Sequence, residues 1–265
     1  MYNFDPEQLS ALESRLAEEF RVARPFRHFM VDGLVAPEVI HTINREFADV
    51  ARHRADWQRF TTKAEVKFAL ADLTMMGPTT AAVLMAFNAQ PFVGFIERVT
   101  GISGIIPDPG YVGGGMHEIA SGGFLKIHAD FNRHKHLQLD RRLNVILYLN
   151  EDWDETWGGH LELWDREMTR AEASIAPLAG RMVCFATDDY SYHGHPDPIR
   201  CPEDRFRRSL ALYYYTNGRP PEEVSGGHTT LFRSRPGERI PLSRADVMGG
   251  LRRAKRRVVG AMNRR

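Results

Sequence analysis

Cysteine is scarce in this 265-residue chain, where only Cys184 and Cys201 occur. Two cysteines are too few for the disulfide framework of a small secreted fold. Cys184 lies in the apolar run Met182–Thr187 and reads as a small buried hydrophobe. Free thiols in a reducing, cytoplasmic setting are therefore expected. Net charge is small as well: a formal +1 gives no overall attraction to nucleic acid or to an anionic membrane. No apolar run reaches the roughly 18 residues that a transmembrane helix needs. The opening Met-Tyr-Asn-Phe-Asp-Pro-Glu lacks the basic and apolar regions of a signal peptide. What remains is an ordinary globular composition, 43% hydrophobic and 26% charged, long enough for one enlarged domain or two.

The first hundred residues read as helical. Leu9, Leu12, Leu16 and Phe20 recur at helical spacing over 6–22. Phe26 to Val35 reads as a strand, and Ala36-Pro37 opens a second helix through Ile40, Ile43 and Phe47, with proline in the first turn. Residues 51–68, charged and aromatic, fit no single element. Gly77-Pro78 precedes an apolar helix through Leu84 and Phe87, and another runs from near Pro91 to Gly101. These elements are expected to be packing support for a sheet.

From about residue 105, Gly, Pro, Asp and Asn punctuate short apolar runs. These are Tyr111–Ile119, Phe124–Phe131, Leu143–Asn150, His160–Trp164, Ser174–Ile175, Met182–Thr187 and Ser209–Thr216. Their number is close to the roughly eight strands of a double-sheet jelly roll. The expected layout is a helical support region over 1–104, a β core over 105–218 and an irregular, basic extension over 219–265, within one structural domain. The last fifteen residues, Leu251 to Arg265, hold seven Lys and Arg and no acid. A solvated helical end is the favoured reading of that block, and contact with an anionic partner or membrane surface is the other.

The chemistry concentrates in Phe124–Phe131. Alternation puts Leu125, Ile127, Ala129 and Phe131 on one face and Lys126, His128 and Asp130 on the other. A strand thereby holds an imidazole and a carboxylate side by side, as two ligands of one metal. A third ligand comes from Tyr190-Ser-Tyr-His-Gly-His-Pro196, where His193 is the best candidate and His195 its rival. His134 and His136 sit in a polar loop with no strand to fix them. Two histidines and one carboxylate bind one face of an octahedral Fe(II) and leave the other positions open for O2 and an organic co-substrate.

Taken together, His128-Ala-Asp130, Leu147-Tyr-Leu-Asn-Glu-Asp-Trp153, Gly158-Gly-His-Leu-Glu-Leu163, the run ending in His193, and Arg207-Arg-Ser209 resemble the 2-oxoglutarate- and Fe(II)-dependent dioxygenases, nearest the prolyl-hydroxylase-like branch. The resemblance covers residues 110–216. It implies a mainly β fold, a double-stranded β-helix (jelly roll) with flanking helices, and iron on His128, Asp130 and His193. The Ser-x-His pattern favours His193 over His195. Fe(II), 2-oxoglutarate and O2 are implied, with ascorbate as reductant. Hydroxylation is the implied outcome, since Asp130 would occupy the position a halide needs. Tyr148 stands where the family binds the distal carboxylate of 2-oxoglutarate. The segment from His193 to Arg207 is longer than in the hypoxia-sensing branch.

Adjacent strand residues face opposite ways, so only one of Arg207 and Arg208 can reach that carboxylate. Arg207 shares its face with Ser209, Ala211 and Tyr213, whereas Arg208 shares its face with Leu210, Leu212 and Tyr214. A co-substrate cavity needs small residues beside its cation, and the opposite face needs bulk to pack on a second layer. Arg207 with Ser209 is therefore the expected anchor. The expected activity is hydroxylation of a peptidyl or free amino acid, or of another small molecule. A cupin-like metal enzyme without 2-oxoglutarate and a non-catalytic jelly-roll binding module are the competing readings. The basic run Asn132–His136 is read either as the mouth of the site or as a solvated loop.

Overall fold

The computed structural model describes residues 2–224 and 226–238. The basic block at 251–265 lies outside the described residues.

Helix α1 (Pro6–Val22) starts where the Asp5 side chain accepts from the Glu7 N–H and proline takes the first turn; it buries Leu9, Leu16 and Phe20. Strand β1 (His28–Val31) leads to α2 (Pro37–Val50), which buries Ile40, Ile43 and Phe47. The unplaced stretch contains a 3-10 turn and a hairpin, β2 (Gln58–Thr61) and β3 (Glu65–Leu70). Helix α3 (Pro78–Phe87) borrows its cap from α2. The Glu46 carboxylate accepts from the Thr79 and Thr80 N–H groups at 2.8 and 2.7 Å. Helix α4 (Gln90–Thr100) ends at Gly101, whose φ of +69° is the left-handed turn that glycine adopts freely.

The remaining strands follow as β4 (Ile106–Pro107), β5 (Gly115–Ile119), β6 (Phe124–Ala129), β7 (Asp140–Tyr148), β8 (Leu161–Trp164), β9 (Ala171–Ile175), β10 (Met182–Ala186), β11 (His193–His195), β12 (Arg207–Thr216) and β13 (Leu231–Phe232). They join in the order β1-β10-β7-β12-β5-β3-β6-β11-β8-β9. All pairings between these named strands are antiparallel. The result is a mainly β jelly roll with helices on one side.

Strand β3 closes the roll. Its end at Phe68–Leu70 pairs with β5, and its start at Glu65–Val66 pairs with β6. The segment before residue 105 is thus more than helical support. It supplies β1 at one edge and the strand that joins the two halves. The extension after 218 is also less irregular than expected, since β13 pairs with β6 and brings Phe232 opposite His128.

The core divides by strand parity. On β7, β10 and β12, the side chains Leu143, Val145, Leu147, Met182, Cys184, Leu210, Leu212 and Tyr214 meet the helices in one large cluster. Residues of opposite parity, among them Tyr148, Val183 and Phe185, face inward with Leu161 and Leu163. Each such buried aliphatic or aromatic side chain contributes about 1.5–3 kcal/mol, enough in sum to hold the helical layer and leave the inner face free for polar chemistry. Cys184 and Cys201 are both unpaired and buried.

Candidate metal and co-substrate site

Strand β6 turns His128 inward and Asp130 follows just past its end, while Ile127 and Ala129 are fully buried with Trp164 and Tyr192 on the other side. Strict alternation fails at the start of the strand: a register shift against β11 puts Leu125, not Lys126, in the cavity, and Lys126 Nζ donates to the Pro196 carbonyl instead. Strand β11 lies antiparallel to β6 with His193 opposite His128. That register brings the two imidazoles to a centroid distance of 4.4 Å. Asp130 sits between them, its Oδ1 3.5 Å from His128 Nε2 and its Oδ2 3.4 Å from His193 Nε2. Ligand atoms of all three lie within 4.8 Å of one another.

The ring tautomers follow from the backbone. His128 Nδ1 is 2.8 Å from the Lys126 carbonyl, and His193 Nδ1 is 2.9 Å from the Ser191 carbonyl. A carbonyl oxygen only accepts, so each Nδ1 carries the proton and each Nε2 turns a lone pair towards Asp130. Burial pushes the His193 pKa down to about 4 and keeps its ring neutral. Burial opposes the Asp130 charge, but the Arg141 guanidinium holds its carboxyl well below the usual range. Two neutral imidazoles and a carboxylate with convergent lone pairs fit Fe(II) in chemistry and in number. His195 is not part of this cluster.

A supporting shell went unread in the sequence. Asn144 Nδ2 donates to Asp130 Oδ2 at 2.6 Å and Arg141 Nη2 donates to the same oxygen at 3.1 Å, while Arg141 Nε donates to Asn144 Oδ1 at 2.9 Å. Arg141 is fully buried, its guanidinium carbon 3.4 Å from the Tyr213 ring centroid. Oδ2 is thereby anchored from behind, and the carboxylate has a set orientation. Period-two alternation from Tyr148 back through Ile146 and Asn144 places Asn144 on the inner face and was the available signal. Lys67 was likewise missed. Glu65-Val-Lys-Phe-Ala-Leu alternates cleanly and puts Glu65, Lys67 and Ala69 on the cavity side.

On the far side of the metal cluster, Arg207 is 5% exposed. Its Nη2 donates to the Tyr148 hydroxyl at 3.2 Å and its Nε to the Gly159 carbonyl at 2.7 Å. No carboxylate pairs with it among the described residues. Gly159 has a φ of +75°, and a Cβ there would stand 3.0 Å from Arg207 Cδ, so glycine suits both the turn and the close approach. Ser209 is buried opposite Tyr148 and His117. Arg208 points the other way, and its Nε donates to Glu118 at 2.9 Å. His195, buried one turn of the pleat beyond His193, has its pKa pushed far down by burial and then by Arg207.

A cavity of about 340 Å³ opens onto His128 and Asp130. Phe60, Phe131, Tyr213 and Phe232 form its aromatic wall, and Asp56, Glu65, Lys67 and Asp72 its polar rim. No residue of 132–136 lines it. Instead His134 is 2% exposed, with Nε2 3.4 Å from Asp108, and Asn132 donates to Asp189. This loop is neither the mouth of that cavity nor wholly solvated, because two of its polar side chains are folded inward.

Residues 114–215 match the 2OG-Fe(II) oxygenase superfamily. No curated protein matches the chain. In three dimensions it is similar to a prolyl hydroxylase of Trichoplax adhaerens, solved with a hypoxia inducible factor peptide, at TM-score 0.58 and 15% identity over 79% of this chain and 91% of that one. A prolyl 4-hydroxylase of Phytophthora capsici gives TM-score 0.56 and 16% identity over 97% of this chain and 77% of that one. A Pseudomonas putida prolyl-4-hydroxylase gives 0.52 and 17% over 79% and 100%. The shared fold is the double-stranded β-helix.

Proposed function

From the premise that this chain carries a 2OG-Fe(II) oxygenase domain and is a 2-oxoglutarate-dependent dioxygenase, we propose that His128, Asp130 and His193 hold its iron, that Arg207 and Tyr148 take the distal carboxylate of 2-oxoglutarate, with Ser209 beside them, and that the product is a hydroxylated C–H bond. Iron bound there supplies, with O2 and 2-oxoglutarate, the oxidising chemistry that releases succinate and CO2. The chain's own residues do the positioning. Asn144 and Arg141 fix Asp130, so that its free oxygen faces the metal position. The backbone carbonyls of Lys126 and Ser191 keep both histidines in the ligating tautomer. The aromatic wall of the cavity limits water at the reacting end.

The observation that carries this reading is Arg207. A buried guanidinium with no paired carboxylate is costly, and an incoming dicarboxylate relieves that cost with bidentate geometry. A metal enzyme without 2-oxoglutarate has no use for such a cation. For the substrate, we favour a peptidyl or free amino acid. The aromatic wall with a mixed-charge rim suits a small ring or side chain carried on a polar backbone, and prolyl hydroxylases share the fold. Peptidyl proline is the first substrate to try.

Two measurements test the proposal. Fe(II)-loaded protein under anaerobic conditions should develop a visible charge-transfer band on addition of 2-oxoglutarate. In air, with ascorbate, it should release succinate, faster with a proline-containing peptide. Absence of both the band and succinate release overturns the proposal; the band with succinate release that no amino acid or peptide stimulates overturns only the substrate class.

A further inference from the structure

His195 is buried at 4% exposure, and neither of its ring nitrogens has a hydrogen-bond partner among the described residues. The fold leaves it one direction to face. It follows His193 by two positions on β11; the extra residue of the register shift between them lies on β6, so β11 keeps its alternation and His195 pairs with the cavity-lining Leu125, on the inner side with His193. The residue between them is Gly194, where a Cβ would stand 2.7 Å from the Leu125 carbonyl oxygen and 2.9 Å from that of Lys126. Strand β11 is therefore pressed onto β6, and the imidazole cannot swing out through that side.

Its neighbours are those of the co-substrate seat. On β8, Leu163 and Glu162 pair with His193 and Gly194. Continued by one residue, that ladder brings His195 level with Leu161, two residues beyond Gly159. The Gly159 carbonyl is the one that accepts from Arg207 Nε. Leu125, the β6 partner of His195, lines the cavity that reaches His128. His195 thus lies near both the metal cluster and the buried guanidinium, close enough to feel the charge of Arg207, with hydrogen-bonding capacity that the protein itself leaves unused.

We infer that His195 is a further binding residue for 2-oxoglutarate, one ring N–H donating to a carboxylate oxygen of the co-substrate that Arg207 neutralises. This rests on the reading that Arg207 receives 2-oxoglutarate. It gives a use to the histidine that competes with His193 in the sequence. The metal cluster excludes it, yet it stays in a polar, water-poor position.

The test is binding by calorimetry, with Mn(II) in place of iron so that no turnover occurs. His195→Leu should weaken 2-oxoglutarate about tenfold or more, the effect of removing one hydrogen bond to a charged group, and should leave Mn(II) affinity unchanged. His195→Gln, which keeps a donor, should recover most of the loss. Parental 2-oxoglutarate affinity in His195→Leu overturns the inference, and so does loss of Mn(II) affinity, which would make His195 a ligand. Arg207→Ala separates the two readings. If it binds 2-oxoglutarate normally, the Arg207 reading fails; if it loses binding while His195→Leu does not, only the inference fails. Should His195→Leu not fold, the unmodified protein still decides, loaded with Zn(II) and labelled with 15N-histidine. The His195 ring signals must shift when 2-oxoglutarate is added, and unmoved signals overturn the inference.

Discussion

His128 and His193 stand opposite each other on neighbouring antiparallel strands, each with its Nδ1 tied to a carbonyl two residues earlier in its own chain segment. Both Nε2 atoms consequently face Asp130. Replacing His128, Asp130 or His193 by alanine should each abolish Fe(II) binding and turnover. The thermal midpoint should move little for the two histidines, because ligands at a cavity contribute little packing, and should fall for Asp130→Ala, which leaves the buried Arg141 without its carboxylate. Metal content after desalting and a melting curve check both halves. A histidine variant that unfolds would mean that histidine is structural.

The two adjacent arginines should separate cleanly. Arg207→Ala should raise the 2-oxoglutarate requirement by about tenfold or more, since a bidentate charged contact is lost. Arg208→Ala should leave that requirement near the parental value and instead cost about 1.5–3 kcal/mol of stability. Its Nε donates to the fully buried Glu118. Titrating 2-oxoglutarate against both variants, alongside urea unfolding, decides the matter. A normal Arg207→Ala with a defective Arg208→Ala would reverse the assignment.

Tyr148→Phe removes the hydroxyl that accepts from Arg207 Nη2 at 3.2 Å. The expected loss is about 1.5–3 kcal/mol of co-substrate binding, roughly a tenfold to hundredfold rise in the required 2-oxoglutarate. An unchanged requirement would show that the hydroxyl serves only to hold the guanidinium.

Asn144→Leu should weaken the metal without touching a ligand. It removes the 2.6 Å donor to Asp130 Oδ2, and outer partners of this kind are worth about 10–100-fold in metal affinity. Competition with a chelator measures the shift. An unaltered Mn(II) affinity would mean that Arg141 alone suffices to orient the carboxylate.

Glu46 offers a test of stability and its pH dependence. Burial raises its pKa, but the hydrogen bonds from Thr80 and Thr79 outweigh that and leave it below the ordinary value. A carboxyl whose folded-state pKa is depressed stabilises fully above its unfolded pKa, about 4.3 for glutamate, and loses that contribution as pH falls through the folded value. Glu46→Ala should therefore cost about 0.5–2 kcal/mol at neutral pH, the usual worth of a helix cap, and nearly nothing in strong acid. Chemical unfolding at neutral and acid pH reads the difference, and an equal cost at both would sink the capping role.

Local periodicity determined a good deal. The four helices, the His128-x-Asp130 pair on one face of a strand, and the opposite faces of Arg207 and Arg208 all follow from spacing along a single segment, because a helix or a strand repeats its geometry over a few residues. Tertiary pairing decided the rest. His195 rivals His193 in the chain, where only the Ser-x-His resemblance favours His193, and it is the register of β11 on β6 that sets His193 against His128 and sends His195 past the cluster. Nothing in the local spacing singles out Arg141, and only the fold shows that Asp130, Asn144 and the Tyr213 ring make its burial tolerable. Strand β3 has clean alternation but carries charge on the face that meets the cavity, and its role in joining the two sheets appears only once β5 and β6 are both beside it. Each of these depends on at least one partner between 11 and 72 positions away in sequence, and the energy of a buried polar group is set by such partners more than by its neighbours along the chain.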